Sequence, residues 1–186
     1  AAKWWLERSL SAFDCSLRNL DSRLVLRRGP TAKTLCSLAK ETGATSVFWQ
    51  MGCEPKSLEL ERQVQKALTE NGVATETFDS SGLFDIGGIA QDDGSPYKVF
   101  AAYWRKLQSL GNPILPLQSP DGIRPPDVWP TSLTLEDLEF CKEEQARPLF
   151  SAKWEPGEKG ALQTLTKFLD DGLEFYSYQR DRPDLS

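Results

Sequence analysis

Thr45-Ser46-Val47-Phe48-Trp49 leads through Gln50-Met51-Gly52-Cys53 into Glu54-Pro55, and the reading of this passage decides the fold. The first five residues are mostly β-branched or aromatic, which suits a short buried strand. Gly52 breaks the run, and Pro55 is pre-set for the first position of a helix. From Pro55, Leu60, Val64, Ala67 and Leu68 recur at helical spacing as far as about Glu70, where Asn71-Gly72 stops the helix. Residues 73–78, Val-Ala-Thr-Glu-Thr-Phe, then alternate as a second strand. Strand, helix and strand in this order predict a βαβ unit with parallel strands and a right-handed crossover.

Upstream of this unit, Leu35, Leu38 and Ala39 mark one face of a helix over 31–42 that Gly43 stops. Residues 23–27, Arg-Leu-Val-Leu-Arg, form an apolar run of β character, broken by Gly29-Pro30-Thr31. Leu6, Leu10, Phe13, Leu17 and Leu20 predict a helix over 3–21. The fold class is therefore α/β, a parallel sheet with helices on both faces. Three strands would leave apolar sheet surface uncovered, so at least one strand is expected before residue 1. Downstream, residues 79–96 read as a long loop, with Asp92-Asp93-Gly94 as a turn. Residues 97–110 predict an aromatic-rich helix. Pro113, Pro116, Pro120, Pro125, Pro126 and Pro130 then make a semi-extended linker. A short helix is expected from Thr134 through Leu138. A longer one covers 160–178, with Leu162, Leu165, Phe168, Leu169, Leu173 and Tyr176 on its stripe.

The 186 residues are 39% hydrophobic and include six Trp, nine Phe and four Tyr, enough apolar surface for a packed core. No run approaches the ~20 apolar residues of a membrane span, and no membrane association is expected. The chain has no His, which excludes a Cys/His zinc site, a Ser-His-Asp or Cys-His mechanism and a His general base within it. Cys15, Cys36, Cys53 and Cys141 have no metal-ligand spacing and read as reduced thiols of an intracellular protein. The 22 Lys/Arg and 27 Asp/Glu give a net charge of -5, and residues 134–186, with 7 and 12 of these, carry the whole imbalance. No basic stretch forms a nucleic-acid footprint.

General motifs place little chemistry on the chain. The phosphate-loop and dinucleotide glycine fingerprints are absent. Gly82, Gly87 and Gly88 read either as a phosphate cradle or as an ordinary loop. Asp92-Asp93 read as paired carboxylates or as a solvated turn. Trp4-Trp5 and Tyr103-Trp104 read as stacking platforms or as core. Glu54 stands at the carboxyl end of a parallel strand, where open α/β sheets bind ligands. Its alternative reading is a charge that favours the N-terminus of the following helix.

These segments together resemble the DNA photolyase/cryptochrome family, in order along nearly the whole chain. Trp4-Trp5-Leu6-Glu7-Arg8-Ser9-Leu10 is similar to the family's W-W-L-H-R-S-L helix, with Glu7 in place of His. Leu24-Val25-Leu26-Arg27-Arg28-Gly29 is similar to its next strand and turn. Glu41-Thr42-Gly43-Ala44 precedes the strand ending in Trp49, and Glu54-Pro55 falls where the family often has Y-E-P. Tyr97-Lys98-Val99-Phe100 with Tyr103-Trp104 resembles Y-K-V-F-T-P-F-W. Trp154-Glu155-Pro156-Gly157-Glu158 with Gly160-Ala161 resembles W-x-P-G-E-x-G-A, and Tyr176 with Arg180-Asp181-Arg182-Pro183 resembles Y-x-x-x-R-D-x-P.

The resemblance implies a Rossmann-like α/β antenna domain over 1–111, an interdomain linker over 112–133, and linker helices plus the first helix of the FAD domain over 134–186. It implies an opening strand before residue 1 and most of the flavin-binding, DNA-docking helical domain after residue 186. The 186 residues alone are expected to be catalytically inert. For the parent protein the resemblance implies a monomeric, light-driven DNA repair enzyme. Reduced FAD donates an electron to a pyrimidine dimer flipped from the duplex, and the dimer splits. A blue-light photoreceptor without repair activity is the alternative within the family, and a stand-alone, non-catalytic α/β module the alternative outside it. Carried over by position, Tyr176 is implied to contact FAD. Glu54 is implied to contact an antenna pigment, a methenyltetrahydrofolate or a deazaflavin, because a pterin presents adjacent N–H donors to a carboxylate. Gln50-Met51-Gly52-Cys53 stands where the family has N-R-R-Y.

Overall fold

The computed structural model describes residues 2–78, 82, 84, 89–113, 115, 117–140 and 154–185. They fall into two compact units, one of residues 28–119 and 128–130, the other of 1–27, 120–127 and 131–186.

The first unit contains helix α2 (Thr31–Thr42), strand β1 (Ser46–Gln50), helix α3 (Pro55–Glu70), strand β2 (Ala74–Phe78) and helix α4 (Phe100–Ser109). β1 and β2 pair in parallel from Ser46↔Ala74 to Gln50↔Phe78, with α3 as their connection. Helices α2 and α3 begin and end at the residues their sequence signals mark. Gly43 takes the left-handed conformation (φ 66°) and donates its N–H to Ala39 O, closing α2. Pro55 opens α3 behind an extended Glu54, and Val73 N–H returns to Leu68 O at 3.0 Å just past its end. That last bond joins two core residues. Ala39, Val64, Leu68 and Val73 are buried together, with Leu35, Cys36, Val47 and Trp49 packed against them.

Alternation along β1 sends Val47 and Trp49 to this helical core and Phe48 to the opposite face. There the Phe48 and Phe78 rings lie 6.3 Å apart and remain 60% and 50% exposed. A parallel sheet buried on one face only is unusual. The expected uncovered apolar surface is thus present on this face among the described residues. The expected helix at 97–110 starts three residues later, because Val99 is extended (φ -119°, ψ 124°). On α4, Phe100 stacks on Trp104 at 6.1 Å, yet both face outward, Phe100 73% exposed. The core reading of Trp104 is therefore corrected: the i, i+4 pair covers itself.

In the other unit, helix α1 (Ala2–Arg18) buries Trp4 and leaves Trp5 half-exposed against Trp154, ring centroids 6.0 Å apart. Trp4 is thus core. The β-like run 23–27 is not a strand of the sheet; it makes one isolated antiparallel bridge, Leu26↔Leu133. Two of its amides are already taken. Leu24 N–H donates to Asp14 Oδ1 and Leu26 N–H to Ser132 Oγ, each at 2.8 Å, which leaves Leu26 O to accept from Leu133 N–H. A single 3₁₀ turn, Glu136–Leu138, stands where a short helix was expected. The predicted helix over 160–178 is realised as α5 (Glu158–Lys167), a π turn (Phe168–Gly172), a 3₁₀ turn (Leu173–Phe175) and α6 (Tyr176–Gln179). Gly157 precedes α5 at φ 105°, ψ 171°, a conformation essentially confined to glycine, and a Cβ there would lie 2.8 Å from Ala12 Cβ of α1.

Candidate functional site

Tyr176 and Glu54 lie in different compact units. Tyr176 begins α6, and its position follows from two non-α turns. Leu173 N–H closes the π turn onto Phe168 O, and Tyr176 N–H closes the 3₁₀ turn onto Leu173 O. The Tyr176 ring meets the Phe168 ring edge-on, centroids 5.7 Å apart at 86°. The Arg180 guanidinium lies 5.8 Å from the Tyr176 ring centroid, a cation–π distance. Tyr176 is 48% exposed, and its hydroxyl has no hydrogen-bond partner among the described residues. Nearby, Arg182 grips Asp184 with Nε at 3.3 Å and Nη2 at 2.6 Å. This side-chain hydrogen bonding holds the Asp184 carboxyl below its ordinary value.

Glu54 occupies the N-cap position of α3 at the carboxyl end of β1. Its side chain is exposed, caps no amide and carries no ion pair among the described residues, so its carboxylate is uncommitted among them. The loop beneath it is fixed from α3: Gly52 N–H donates to Glu61 Oε1 at 2.7 Å. The Cys53 thiol is exposed.

The remaining candidates resolve more simply. Asp93 Oδ1 accepts from Ser95 Oγ at 2.7 Å and Ser95 N–H at 2.9 Å. These bonds hold its carboxyl below the ordinary value, as a solvated turn requires. Gly87 and Gly88 lie outside the described residues. Among the described residues, the unit that holds Tyr176 contains two well-formed cavities. One of about 740 Å³ includes Ser16, Lys159, Thr166 and Lys167, the other of about 350 Å³ includes Asp14, Arg18, Arg23 and Ser132, and neither includes Tyr176. Among the described residues there is no metal-ligating cluster and no helix long and apolar enough to cross a membrane.

Phe168 is the residue of this site that reading the sequence missed. The available signal was Gly172 inside an otherwise helical stretch.

A parallel βαβ unit, followed in the chain by helical structure, defines the class: an α/β domain continuing into helices. The chain belongs to the DNA photolyase family, whose match covers residues 1–121. The deoxyribodipyrimidine photo-lyase of Agrobacterium fabrum is 34% identical over 185 residues, 98% of this chain and 38% of that protein. Cryptochrome-1 of Arabidopsis thaliana is 30% identical over 185 residues, 98% of this chain and 27% of that protein. The crystal structure of a bacterial class III photolyase from Agrobacterium tumefaciens aligns at a TM-score of 0.89 with 32% identity, over 96% of this chain and 37% of that one. The chain thus spans under two-fifths of the length of these relatives. The family binds a flavin and an antenna chromophore, and its photolyases act on DNA.

A flavin dinucleotide presents a pyrophosphate, sugar hydroxyls and two ring systems. An uncommitted phenolic O–H on a braced ring, beside Arg180, is a donor set that fits such a ligand. Glu54 offers two free acceptor oxygens, which fit the N–H edge of a pterin; the Gly52 amide near it is already committed to Glu61.

Proposed function

We propose that this chain is part of a light-driven DNA repair flavoprotein, a deoxyribodipyrimidine photolyase. Residues 1–111 form its antenna-chromophore domain, 112–133 its interdomain linker and 134–186 the start of its FAD domain. The observation that carries this reading is the alignment with a class III photolyase at a TM-score of 0.89 over 96% of the chain, which includes the helical stretch around Tyr176. The identity of 30% to a plant cryptochrome supports the second reading, a photoreceptor that repairs nothing.

Reduced FAD, when bound, supplies the electron that splits a pyrimidine dimer in DNA. Tyr176 holds the dinucleotide by its hydroxyl or ring face. Arg180 adds positive charge beside it, only weakly offset by Asp181 at 3.6 Å on the exposed surface. Glu54 accepts hydrogen bonds from the antenna pigment. No side chain here has to move a proton for the electron transfer, so the absence of His is no obstacle.

The test uses the full-length protein, reduced and illuminated with blue light on an oligonucleotide carrying a cyclobutane pyrimidine dimer. Light-dependent restoration of the two pyrimidines is expected. A flavin photocycle without repair would replace this reading by the photoreceptor one.

A further inference from the structure

We infer that Phe168 is a positioning residue for Tyr176, and that the π turn Phe168–Gly172 is the device that brings the two together. The inference rests on the reading of Tyr176 as a flavin contact.

Phe168 and Tyr176 are eight residues apart. In a continuous α-helix eight residues advance the backbone by ~12 Å and turn it by roughly 80°, so the two rings would not meet. Here their centroids are 5.7 Å apart and nearly perpendicular. The departure from α geometry falls between them. Leu173 N–H bonds Phe168 O across five residues, and the next turn tightens to 3₁₀ before Tyr176. Single π turns of this kind concentrate at functional sites.

Gly172 belongs to the same arrangement. A Cβ at this position would lie 2.9 Å from Phe168 Cδ2 and 3.4 Å from Cε2. The glycine therefore leaves the space that the Phe168 ring fills. Phe168 is held on one side by this backbone and presents itself to Tyr176 on the other. With Arg180 on the same tyrosine ring, two contacts restrict the two side-chain torsions of Tyr176 and leave its hydroxyl uncommitted. A donor held in one rotamer before binding loses less entropy on binding.

The test measures FAD dissociation constants of the full-length apoprotein by flavin fluorescence quenching, in the dark and without a repair assay. Phe168→Leu is expected to weaken FAD binding roughly three- to tenfold, the range of an edge-to-face aromatic pair. Phe168→Tyr keeps the ring and is expected to restore the affinity. Gly172→Ala leaves both aromatic residues in place and is expected to weaken binding by crowding the Phe168 ring. In a Tyr176→Ala background, Phe168→Leu is expected to cost nothing further, because its effect passes through the tyrosine. A Phe168→Leu loss of the same size in both backgrounds overturns the inference. So does unchanged binding in Phe168→Leu when Tyr176→Ala is weakened. If Tyr176→Ala itself binds FAD like the parent, the reading of Tyr176 as a flavin contact fails first.

Discussion

Gly157→Ala tests whether α1 and the start of α5 are packed as tightly as their geometry indicates. The substitution meets two independent obstacles. The φ of 105° with ψ of 171° belongs to a region that side-chain-bearing residues scarcely enter, at a cost of about 1–3 kcal/mol. The new Cβ would also lie 2.8 Å from Ala12 Cβ, an overpacking worth about 1–3 kcal/mol. Central values predict a loss of roughly 4 kcal/mol, half from each source. The second source can be removed by itself. Ala12→Gly takes away the opposing methyl and costs about 1 kcal/mol of helix propensity within α1. The double variant should therefore lose roughly 3 kcal/mol where simple addition gives roughly 5, a coupling of about 2 kcal/mol. The assay is urea unfolding of the full-length protein and of the three variants, followed by tryptophan fluorescence, because Trp4, Trp5 and Trp154 lie in the same unit as the contact. A coupling near zero would refute the contact. A Gly157→Ala loss under about 0.5 kcal/mol, the scale of an ordinary surface substitution, would refute the backbone strain as well.

Burial by itself would raise the Asp14 pKa, but the Leu24 amide and then the Arg18 guanidinium outweigh it and leave the carboxyl below its ordinary value. The folded state therefore gains stability from Asp14 above the unfolded pKa of about 3.9 and loses it as pH falls through the lower folded value; in Asp14→Asn the acid-side fall in urea midpoint should be shallower, and an unchanged slope would be the wrong result. Leu68→Ala, at a fully buried side chain, should cost about 2–5 kcal/mol, whereas Phe48→Thr on the exposed sheet face should cost under about 1 kcal/mol; equal losses would mean that the sheet is covered on both faces. Glu54→Gln should lower the antenna-pigment content of the purified full-length protein, measured by absorption against flavin, and unchanged content would remove Glu54 from the antenna site.

The parts of the fold that could be read from the sequence are those whose hydrogen bonds close within one turn. Pro55 and Asn71-Gly72 set the ends of α3, and Gly43 the end of α2, because the groups they satisfy or replace lie three to five residues away. The parallel pair β1 and β2 was legible for a related reason. Alternation fixes which face of each strand is apolar, and the intervening helix fixes parallel pairing. Residues 23–27 have the composition of a strand and fail to become one. The acceptors that take the Leu24 and Leu26 amides are Asp14 and Ser132, the latter 106 residues from Leu26, and no local pattern announces them. The core reading of Trp104 fails because helical spacing says which residues share a face and is silent about whether another element covers it. Of the site, Tyr176 and Glu54 came from resemblance, since neither a lone tyrosine nor a lone carboxylate carries a chemical signature.

Phe168 was missed although a mark of its role is written in the chain. The apolar stripe of the 160–178 segment advances by threes and fours, as in Leu162, Leu165 and Leu169. Leu173 keeps that rhythm, four residues after Leu169, and also lies five residues after Phe168, with Gly172 just before it. Five is the reach of the π hydrogen bond, and Leu173 N–H to Phe168 O is the bond that forms. The apolar spacing stays at threes and fours throughout, so the segment reads as one unbroken helix. The one local mark is the glycine, which leaves room for a side chain to lie over the backbone. Here that side chain is Phe168, and the residue it then touches is the tyrosine assigned to the flavin. The feature hardest to read from local pattern thus coincides with the position where the helix departs from regularity, beside the tyrosine proposed to contact the flavin.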